Sequence, residues 1–222
     1  MQRLVRWVFA PLARFVYRPS VRGRHRVPRS GPVLLAANHR AAIDTAVLAF
    51  VTPRPVSFLG KAEYFTGTRL RQRITARFLN ALGYVPVDRA HAKAGLAALA
   101  AARTVLQRGG VFAIYPEGTR SRDGRLHRGH TGVASLALAT GATVVPVALL
   151  GTQRVQPVGA RLPRLAPMEV RFGRPLDFSR YEGLEGSAAI RRAITDEVMD
   201  AIASLSDQEY VDRYHPLPGQ AA

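Results

Sequence analysis

An apolar run of five residues, Val33–Ala37, leads directly into the polar stretch 38–44, whose sequence is Asn-His-Arg-Ala-Ala-Ile-Asp. A second apolar run, 45–51, follows at once. A short, uninterrupted apolar run is typical of a buried strand, and the second run predicts a helix. The sequence therefore predicts a strand that ends in a polar loop and passes into a helix, a place where rigid scaffolds often hold reactive groups.

The rest of the chain repeats this alternation of strands and helices. Further strands are predicted at 21–27, 55–60, 83–89, 111–115 and 144–149, and helices at 69–82, 91–108, 131–140 and 188–205. The 222 residues are enough for one domain with a full core. We therefore expect a single α/β domain, with a mixed, largely parallel sheet covered by helices.

Several details of this arrangement can also be predicted. The helix at 91–108 should turn four apolar residues inward: Leu96, Leu99, Val105 and Leu106. In the helix at 69–82, an apolar face is formed by Leu70, Ile74, Phe78 and Leu82. A later pair of strands is predicted at residues 168–178. Pro146 indicates that its strand lies at an edge of the sheet or ends there, because proline cannot donate a ladder hydrogen bond.

The two ends of the chain differ from the domain at 21–206. Residues 1–20 form a basic segment with aromatic residues, which predicts an amphipathic helix at the membrane interface or, alternatively, a helix docked on the domain itself. The segment lacks the uninterrupted run of ~20 apolar residues that spans a bilayer, and it lacks the cleavage site of a signal peptide. Residues 207–222 are interpreted as a loosely ordered tail.

The net charge of +17 predicts an anionic partner, such as phospholipid headgroups, a phosphorylated substrate or nucleic acid. The chain has no cysteine. Disulfides, a thiolate nucleophile and a cysteine-ligated metal are therefore excluded.

His39 and Asp44 are separated by four residues. On one regular helix, residues five apart point about 140° away from each other, since each step turns about 100°. The pair can meet only if His39 lies in the loop and Asp44 in the first turns of the helix. Asp44 would then accept the Nδ1–H of His39 and leave Nε2 free as a base. Taken alone, the spacing also fits a capped helix start with Asn38 as the N-cap.

Three of the predicted strands end in polar groups: the histidine–aspartate pair, Arg89, and the stretch 117–120. In sheets covered by helices, ligands collect at strand ends. Arg89 and Arg120 would bind a phosphate through charge-assisted hydrogen bonds. Gly118 would let the backbone approach the ligand, and Thr119 adds a hydroxyl. A base beside a phosphate clamp predicts an enzyme that activates a hydroxyl on a small phosphorylated molecule.

Four motifs carry a resemblance to a known family. They are Asn38-His39-x4-Asp44; Gly83 to Arg89; Tyr115-Pro116-Glu117-Gly118-Thr119-Arg120-Ser121; and Val144-Val145-Pro146-Val147-Ala148. In this order they resemble the motifs of the glycerolipid acyltransferases, the family of 1-acylglycerol-3-phosphate acyltransferases. Two departures are mild: Tyr115 stands where phenylalanine is more usual, and Arg128 stands before Gly129 where lysine is frequent.

The resemblance implies an O-acyltransferase of phospholipid biosynthesis. His39, oriented by Asp44, would take the proton from the free hydroxyl of 1-acyl-sn-glycerol 3-phosphate, and the oxygen would attack an acyl thioester of coenzyme A or acyl carrier protein. The product would be phosphatidic acid. Arg89 and Arg120 would hold the acceptor phosphate, and Glu117 would hydrogen-bond the acceptor or an arginine, or form a buried ion pair with Arg120. The resemblance implies no metal, no cofactor and no nucleic acid. It places the protein at the cytoplasmic face of the membrane, peripheral or monotopic.

Other functions fit less of the sequence. A serine hydrolase would need a Gly-x-Ser-x-Gly elbow, which the chain lacks. A metal site at His127 and His130 would need more ligands at close spacing. A basic membrane- or nucleic-acid-binding module would explain the charge but not the convergence of polar groups. Within the enzyme class, the acceptor could instead be another lysophospholipid, glycerol 3-phosphate or a glycolipid.

Overall fold

A seven-stranded sheet forms the centre of the structure, a computed structural model that describes residues 11, 15–61, 65, 70–87, 94–157, 159–160 and 162–215. The seven strands are β1 (Ser20–Arg22), β2 (Val33–Ala37), β3 (Val56–Lys61), β4 (Tyr84–Val87), β5 (Val111–Ile114), β7 (Thr143–Leu150) and β8 (Glu169–Phe172). Two further strands, β6 (Leu126–His127) and β9 (Tyr210–Val211), form a separate pair. The helices are α1 (Asp44–Val51), α2 (Leu70–Leu82), α3 (Ala94–Gln107), α4 (Gly132–Thr140), α5 (Thr152–Val155) and α6 (Ala188–Ser206), with 3₁₀ turns at Arg24–Arg26 and Ser179–Tyr181.

The strand order is β1-β8-β7-β2-β5-β3-β4. Strands β7, β2, β5, β3 and β4 run parallel, β8 pairs antiparallel with β7, and β1 pairs parallel with β8. The carboxyl ends of the five parallel strands therefore meet the amino ends of β8 and β1 at one edge, which we call the carboxyl edge. The predicted α/β fold with a mixed, largely parallel sheet is confirmed.

The core lies on both faces of this sheet. All five residues of β2 are fully buried. Leu35 packs with α1 on one face, and Leu34 packs with α3, α4 and α6 on the other. A strand covered on both faces needs apolar side chains at every position, which explains the uninterrupted run in the sequence. Because β2 is packed on both sides, its carboxyl end, where the polar stretch 38–44 begins, is held in place.

Pro146 was expected at an edge or a strand end, and this expectation is wrong. It lies inside β7, which pairs with β2 on one side and β8 on the other. The Pro146 carbonyl accepts the Gly173 N–H at 2.8 Å, so its backbone faces the β8 side, where β8 has already ended at Phe172. The missing N–H therefore removes no bond between β2 and β7, and the proline is tolerated.

Two further predictions, on Leu96 and on residues 168–178, need correction. Leu96, expected to face inward, is 68% exposed, although Leu106 is fully buried. Ile74 is 59% exposed, so the apolar face of α2 is open at this residue. The predicted strand pair at 168–178 is a single strand, β8, followed by an isolated bridge between Val144 and Leu176.

The segment after α6 packs on the domain. Strand β9 pairs with β6, and Gln208 donates to the Gly124 carbonyl at 2.7 Å. The interpretation of this region as loosely ordered is therefore wrong for residues 208–211. A polar side chain that hydrogen-bonds a part-buried loop carbonyl leaves no apolar pattern in the sequence, which is why the contact was missed.

The predicted N-terminal amphipathic helix lies mostly outside the described residues, which include only 11 and 15 onward in that region. Residues 15–17 are helical, and Tyr17 packs against the core. In the part of the chain that the structure describes, no helix has the length and apolar character needed to cross a membrane.

Candidate active site

Asn38 fixes the end of β2 to the end of β7. Its Oδ1 accepts the Leu149 N–H at 2.7 Å, and its Nδ2 donates to the Leu149 carbonyl at 3.1 Å and to Gln208 Oε1 at 2.6 Å. The side chain is 1% exposed, and these bonds satisfy a buried amide that would otherwise be costly. Asn38 therefore acts as a clamp between strands rather than as the N-cap of α1.

His39 and Asp44 meet at the start of α1. His39 lies in the loop, and Asp44 is the first residue of the helix. His39 Nδ1 and Asp44 Oδ2 are 2.9 Å apart, and the same oxygen accepts the N–H groups of Arg40 and Ala41 at 2.7 and 2.8 Å. An ionised carboxylate only accepts hydrogen bonds, so Nδ1 of His39 carries the proton and Nε2 keeps a free electron pair.

Tyr115 stacks on the imidazole of His39. The two ring centroids lie 3.9 Å apart with an interplanar angle of 12°. The Tyr115 hydroxyl shares a hydrogen bond of 3.0 Å with Thr45 Oγ1. Burial, together with the charge of Asp44, raises the pKa of Tyr115 well above its ordinary value, so the phenol stays neutral. The ring thus restrains one face of the imidazole while Asp44 holds its edge, a role that the sequence analysis did not assign to Tyr115.

Glu117 joins the His39 loop to β6. Its Oε2 accepts the His39 N–H at 3.3 Å, and its Oε1 accepts the His127 N–H at 3.0 Å. Burial raises the pKa of Glu117 to about 7, although the hydrogen bonds from these two amides oppose the shift. Because both oxygens already have donors, Glu117 ties two backbone segments that are distant in sequence.

The cation whose charge acts on this carboxylate is Arg40 rather than Arg120. The charge of Arg40 lowers the pKa of Glu117, while burial lowers the pKa of the half-buried Arg40 itself. The buried ion pair between Glu117 and Arg120, one of the expected arrangements, is not formed between these two described residues, and Arg120 is exposed.

The stretch 118–120 lies beside the His39 loop. The Ser121 N–H donates to the His39 carbonyl at 2.8 Å, which places Arg120 next to the candidate base. Gly118 has a φ of 74°, and an added Cβ would lie 3.1 Å from His130 Cδ2, so only glycine fits without strain. Gly118 and Arg120 are exposed and Thr119 is half-buried. This part of the site is therefore open to a ligand.

Arg89, the second predicted phosphate ligand, lies outside the described residues. The strand before it, β4, pairs in parallel with β3 and ends at Val87 at the carboxyl edge. The two-arginine clamp stays a prediction.

A second histidine–aspartate pair lies beyond Glu117. His127 Nε2 is 3.1 Å from both Asp123 oxygens, and the His127 ring makes an edge contact with His215 at a centroid distance of 4.5 Å. Of the described residues, these three form the group whose donor atoms, all within 4.8 Å, are close enough to hold a metal ion. His130, which the sequence analysis considered as a metal-ligand partner of His127, instead stacks on Tyr214.

Comparisons with known proteins place this site in context. A sequence profile described as "Acyltransferase" matches residues 18–150. A 1-acyl-sn-glycerol-3-phosphate acyltransferase of Chlamydomonas reinhardtii is 33% identical over 69% of this chain and 44% of its own. A chloroplastic protein of the same name from Arabidopsis thaliana is 29% identical over 65% of this chain and 39% of its own. The chain thus spans about two fifths of the length of these curated relatives.

One solved structure has a similar fold. It is the crystal structure of the 1-acyl-sn-glycerophosphate acyltransferase PlsC from Thermotoga maritima, which superimposes with a TM-score of 0.65 over 90% of this chain and 77% of that one. At 22% identity, this likeness establishes the fold.

Proposed function

Because this chain belongs to the acyltransferase family, we propose that it transfers a fatty acyl group from an acyl thioester to the free hydroxyl of 1-acyl-sn-glycerol 3-phosphate, giving phosphatidic acid. The observation that carries the proposal is the His39–Asp44 pair, in which the aspartate holds Nδ1 and leaves Nε2 available. The names of the curated relatives support this choice of acceptor.

The chemistry follows from the tautomer of His39. Nε2 takes the proton of the acceptor hydroxyl, and the oxygen attacks the thioester carbonyl. The tetrahedral intermediate then collapses, the carbon–sulfur bond breaks, and the leaving thiolate takes the proton back from Nε2. Asp44 stabilises the imidazolium between these two steps. General base catalysis of this kind contributes roughly 10²–10⁴-fold to the rate.

The acceptor phosphate binds at the exposed stretch 118–120. Arg120 supplies a guanidinium, Gly118 allows close approach of the backbone, and Arg89 is the proposed second cation. Glu117, included in the expected phosphate-binding set, is assigned the role of holding the His39 loop, because its oxygens accept two backbone N–H groups. A buried carboxylate would repel a phosphate.

The acyl donor is acyl-CoA or acyl carrier protein, both of which are anionic and suit a net charge of +17. The acceptor is a membrane lipid, so we place the protein on the cytoplasmic face of the membrane as a peripheral or monotopic protein. Each step uses only groups of the chain and its two substrates.

The test is acyl transfer from acyl-CoA, followed by release of free thiol, with a set of acceptors. We expect turnover with lysophosphatidate, less with glycerol 3-phosphate, and least with monoacylglycerol, which lacks the phosphate. Arg120→Ala should raise the KM for lysophosphatidate roughly tenfold with little change in kcat. Arg108→Ala, which removes an exposed charge at the opposite edge of the sheet, is the matched control. Equal turnover with all three acceptors would contradict the phosphate site.

A further inference from the structure

Two leucines project from the loop between α5 and β8. Leu162 is 78% exposed and Leu165 is 73% exposed. The loop is held by backbone contacts, since the Arg164 N–H donates to the Val155 carbonyl at 2.7 Å. Exposing two large apolar side chains from a hydrogen-bonded loop loses the stabilisation that burying them would give. A contact outside the folded domain would recover it.

The loop lies at the carboxyl edge, where His39 also lies. Leu150, the last residue of β7, pairs with Glu169, the first residue of β8, so the residues just before β8 lie beside the end of β7. Phe15 and Val16, 72% and 45% exposed, precede β1, whose Ser20 is also paired with Glu169. These four apolar side chains therefore belong to one side of the same edge.

Two more exposed apolar residues lie on the other side of this edge. Leu96 is in the first turn of α3, and Ile74 is in the second turn of α2. These helices follow β4 and β3, so their first turns lie near the carboxyl edge. Single exposed apolar residues are ordinary on protein surfaces. Here, however, seven of the eight large exposed apolar side chains among the described residues, including Tyr214 beside His130, lie at the edge that holds the candidate base.

The charged residues near these exposed apolar side chains also differ between the carboxyl edge and the opposite edge. The segment 152–167 contains three arginines and no acidic residue, and α2 likewise contains three arginines and no acidic residue. By contrast, Leu184 lies at the opposite edge, between Glu182 and Glu185 in sequence. Apolar side chains among arginines fit the interface of an anionic bilayer, where the side chains enter the acyl boundary and the guanidinium groups meet phosphates.

We propose that Leu162 and Leu165 insert into the headgroup region of a bilayer containing anionic phospholipid, so that the carboxyl edge faces the membrane. In this orientation a lipid acceptor reaches His39 without leaving the bilayer surface. The inference rests on the proposed function only for this last point, because the binding surface itself is defined by exposure and charge.

The experiment is flotation of the full chain with vesicles of equal parts phosphatidylglycerol and phosphatidylcholine. We expect the double variant Leu162→Ser/Leu165→Ser to lower the vesicle partition coefficient by roughly tenfold or more, because two apolar side chains no longer enter the bilayer. Leu184→Ser is the matched control and should partition like the wild type. An unchanged partition coefficient in the double variant would overturn the proposal, as would an equal loss in the control.

A kinetic measurement separates this proposal from the proposed function. With a water-soluble short-chain acceptor and donor, the double variant should keep the wild-type kcat, whereas turnover of an acceptor embedded in vesicles should fall with the partition coefficient. Absence of wild-type turnover on the soluble acceptor would count against the proposed function and leave the vesicle result valid. A double variant that has lost soluble turnover would contradict a role limited to the membrane.

Discussion

Two histidine–aspartate pairs lie on opposite sides of Glu117, and they are built in opposite ways. His39 meets Asp44 through Nδ1, whereas His127 meets Asp123 through Nε2. Each histidine also donates its backbone N–H to one oxygen of Glu117. The same two residue types, at nearly the same spacing, are thus attached to one central carboxylate.

Burial separates the two pairs. In the first, the carboxylate is fully buried and the imidazole is 16% exposed; in the second, the imidazole is 3% exposed and the carboxylate 41%. The Nδ1 atom of His127 is buried without a hydrogen-bond partner, so its ring has no accessible basic nitrogen. A base must reach the proton that it removes. We therefore expect His39 to act as the base and His127 to act as a structural tie.

The largest expected difference comes from removing each imidazole. His39→Ala should lower kcat by roughly 10²–10⁴-fold, because the general base is lost. His127→Ala should keep kcat within about tenfold but cost roughly 1–3 kcal/mol of unfolding free energy, because a buried hydrogen-bonded ring is lost. Steady-state kinetics and urea unfolding measure the two effects. If His127→Ala lost as much activity as His39→Ala, the distinction between the pairs would be wrong.

The next difference concerns the carboxylates. In Asp44→Asn, the amide oxygen can accept the same three N–H groups as Oδ2, but it carries no charge to stabilise the imidazolium. The amide nitrogen can also face Nδ1 and donate to it, so the histidine loses its fixed tautomer. We expect kcat to fall by roughly 10²–10⁴-fold, no more than on complete loss of the base.

Asp123→Asn is the matched control for that substitution, and its kcat should be close to that of the wild type. Burial disfavours the charge of Asp123, but hydrogen bonds from His127, the Arg125 N–H and Ser121 outweigh it and lower its pKa to about 2. A carboxyl group whose pKa is lowered by folding stabilises the fold at pH values above its unfolded-state pKa. This stabilisation is lost as the pH falls towards 2. The stabilities of wild type and Asp123→Asn should therefore converge in acid, and a constant difference would contradict this origin.

The last prediction concerns Glu117, the residue shared by both pairs. Its pKa is raised from 4.5 to about 7, so the folded protein binds this proton more tightly than the unfolded chain does. Its contribution to stability is therefore fully present below pH 4.5 and lost as the pH rises through 7, by at most about 3 kcal/mol. Thermal unfolding of Glu117→Gln, which cannot ionise, should show the variant gaining stability relative to wild type between pH 5 and 8. A difference in stability that does not change with pH would contradict a raised pKa at Glu117.

Much of the fold could be predicted from local pattern. The run at β2 indicated a buried strand, and helices α1, α4 and α6 begin and end within one residue of the predicted ranges. The meeting of His39 with Asp44 followed from the angular step of a helix, which requires one residue in the loop. The predictions for Leu96 and Pro146 were wrong because the exposure of one and the strand pairing of the other depend on tertiary packing, which local pattern does not encode.

The sequence by itself determined the α/β alternation, the buried strand and the placement of a histidine and an aspartate where that strand gives way to a helix, because backbone period and burial are encoded locally. Only the tertiary structure decided that Glu117 accepts an N–H from His39, 78 residues away, and that Gln208 reaches Asn38 across 170 residues. Contacts of this kind are made by polar side chains that satisfy particular backbone or amide groups. They have no periodicity along the chain, so chain packing alone selects the partner.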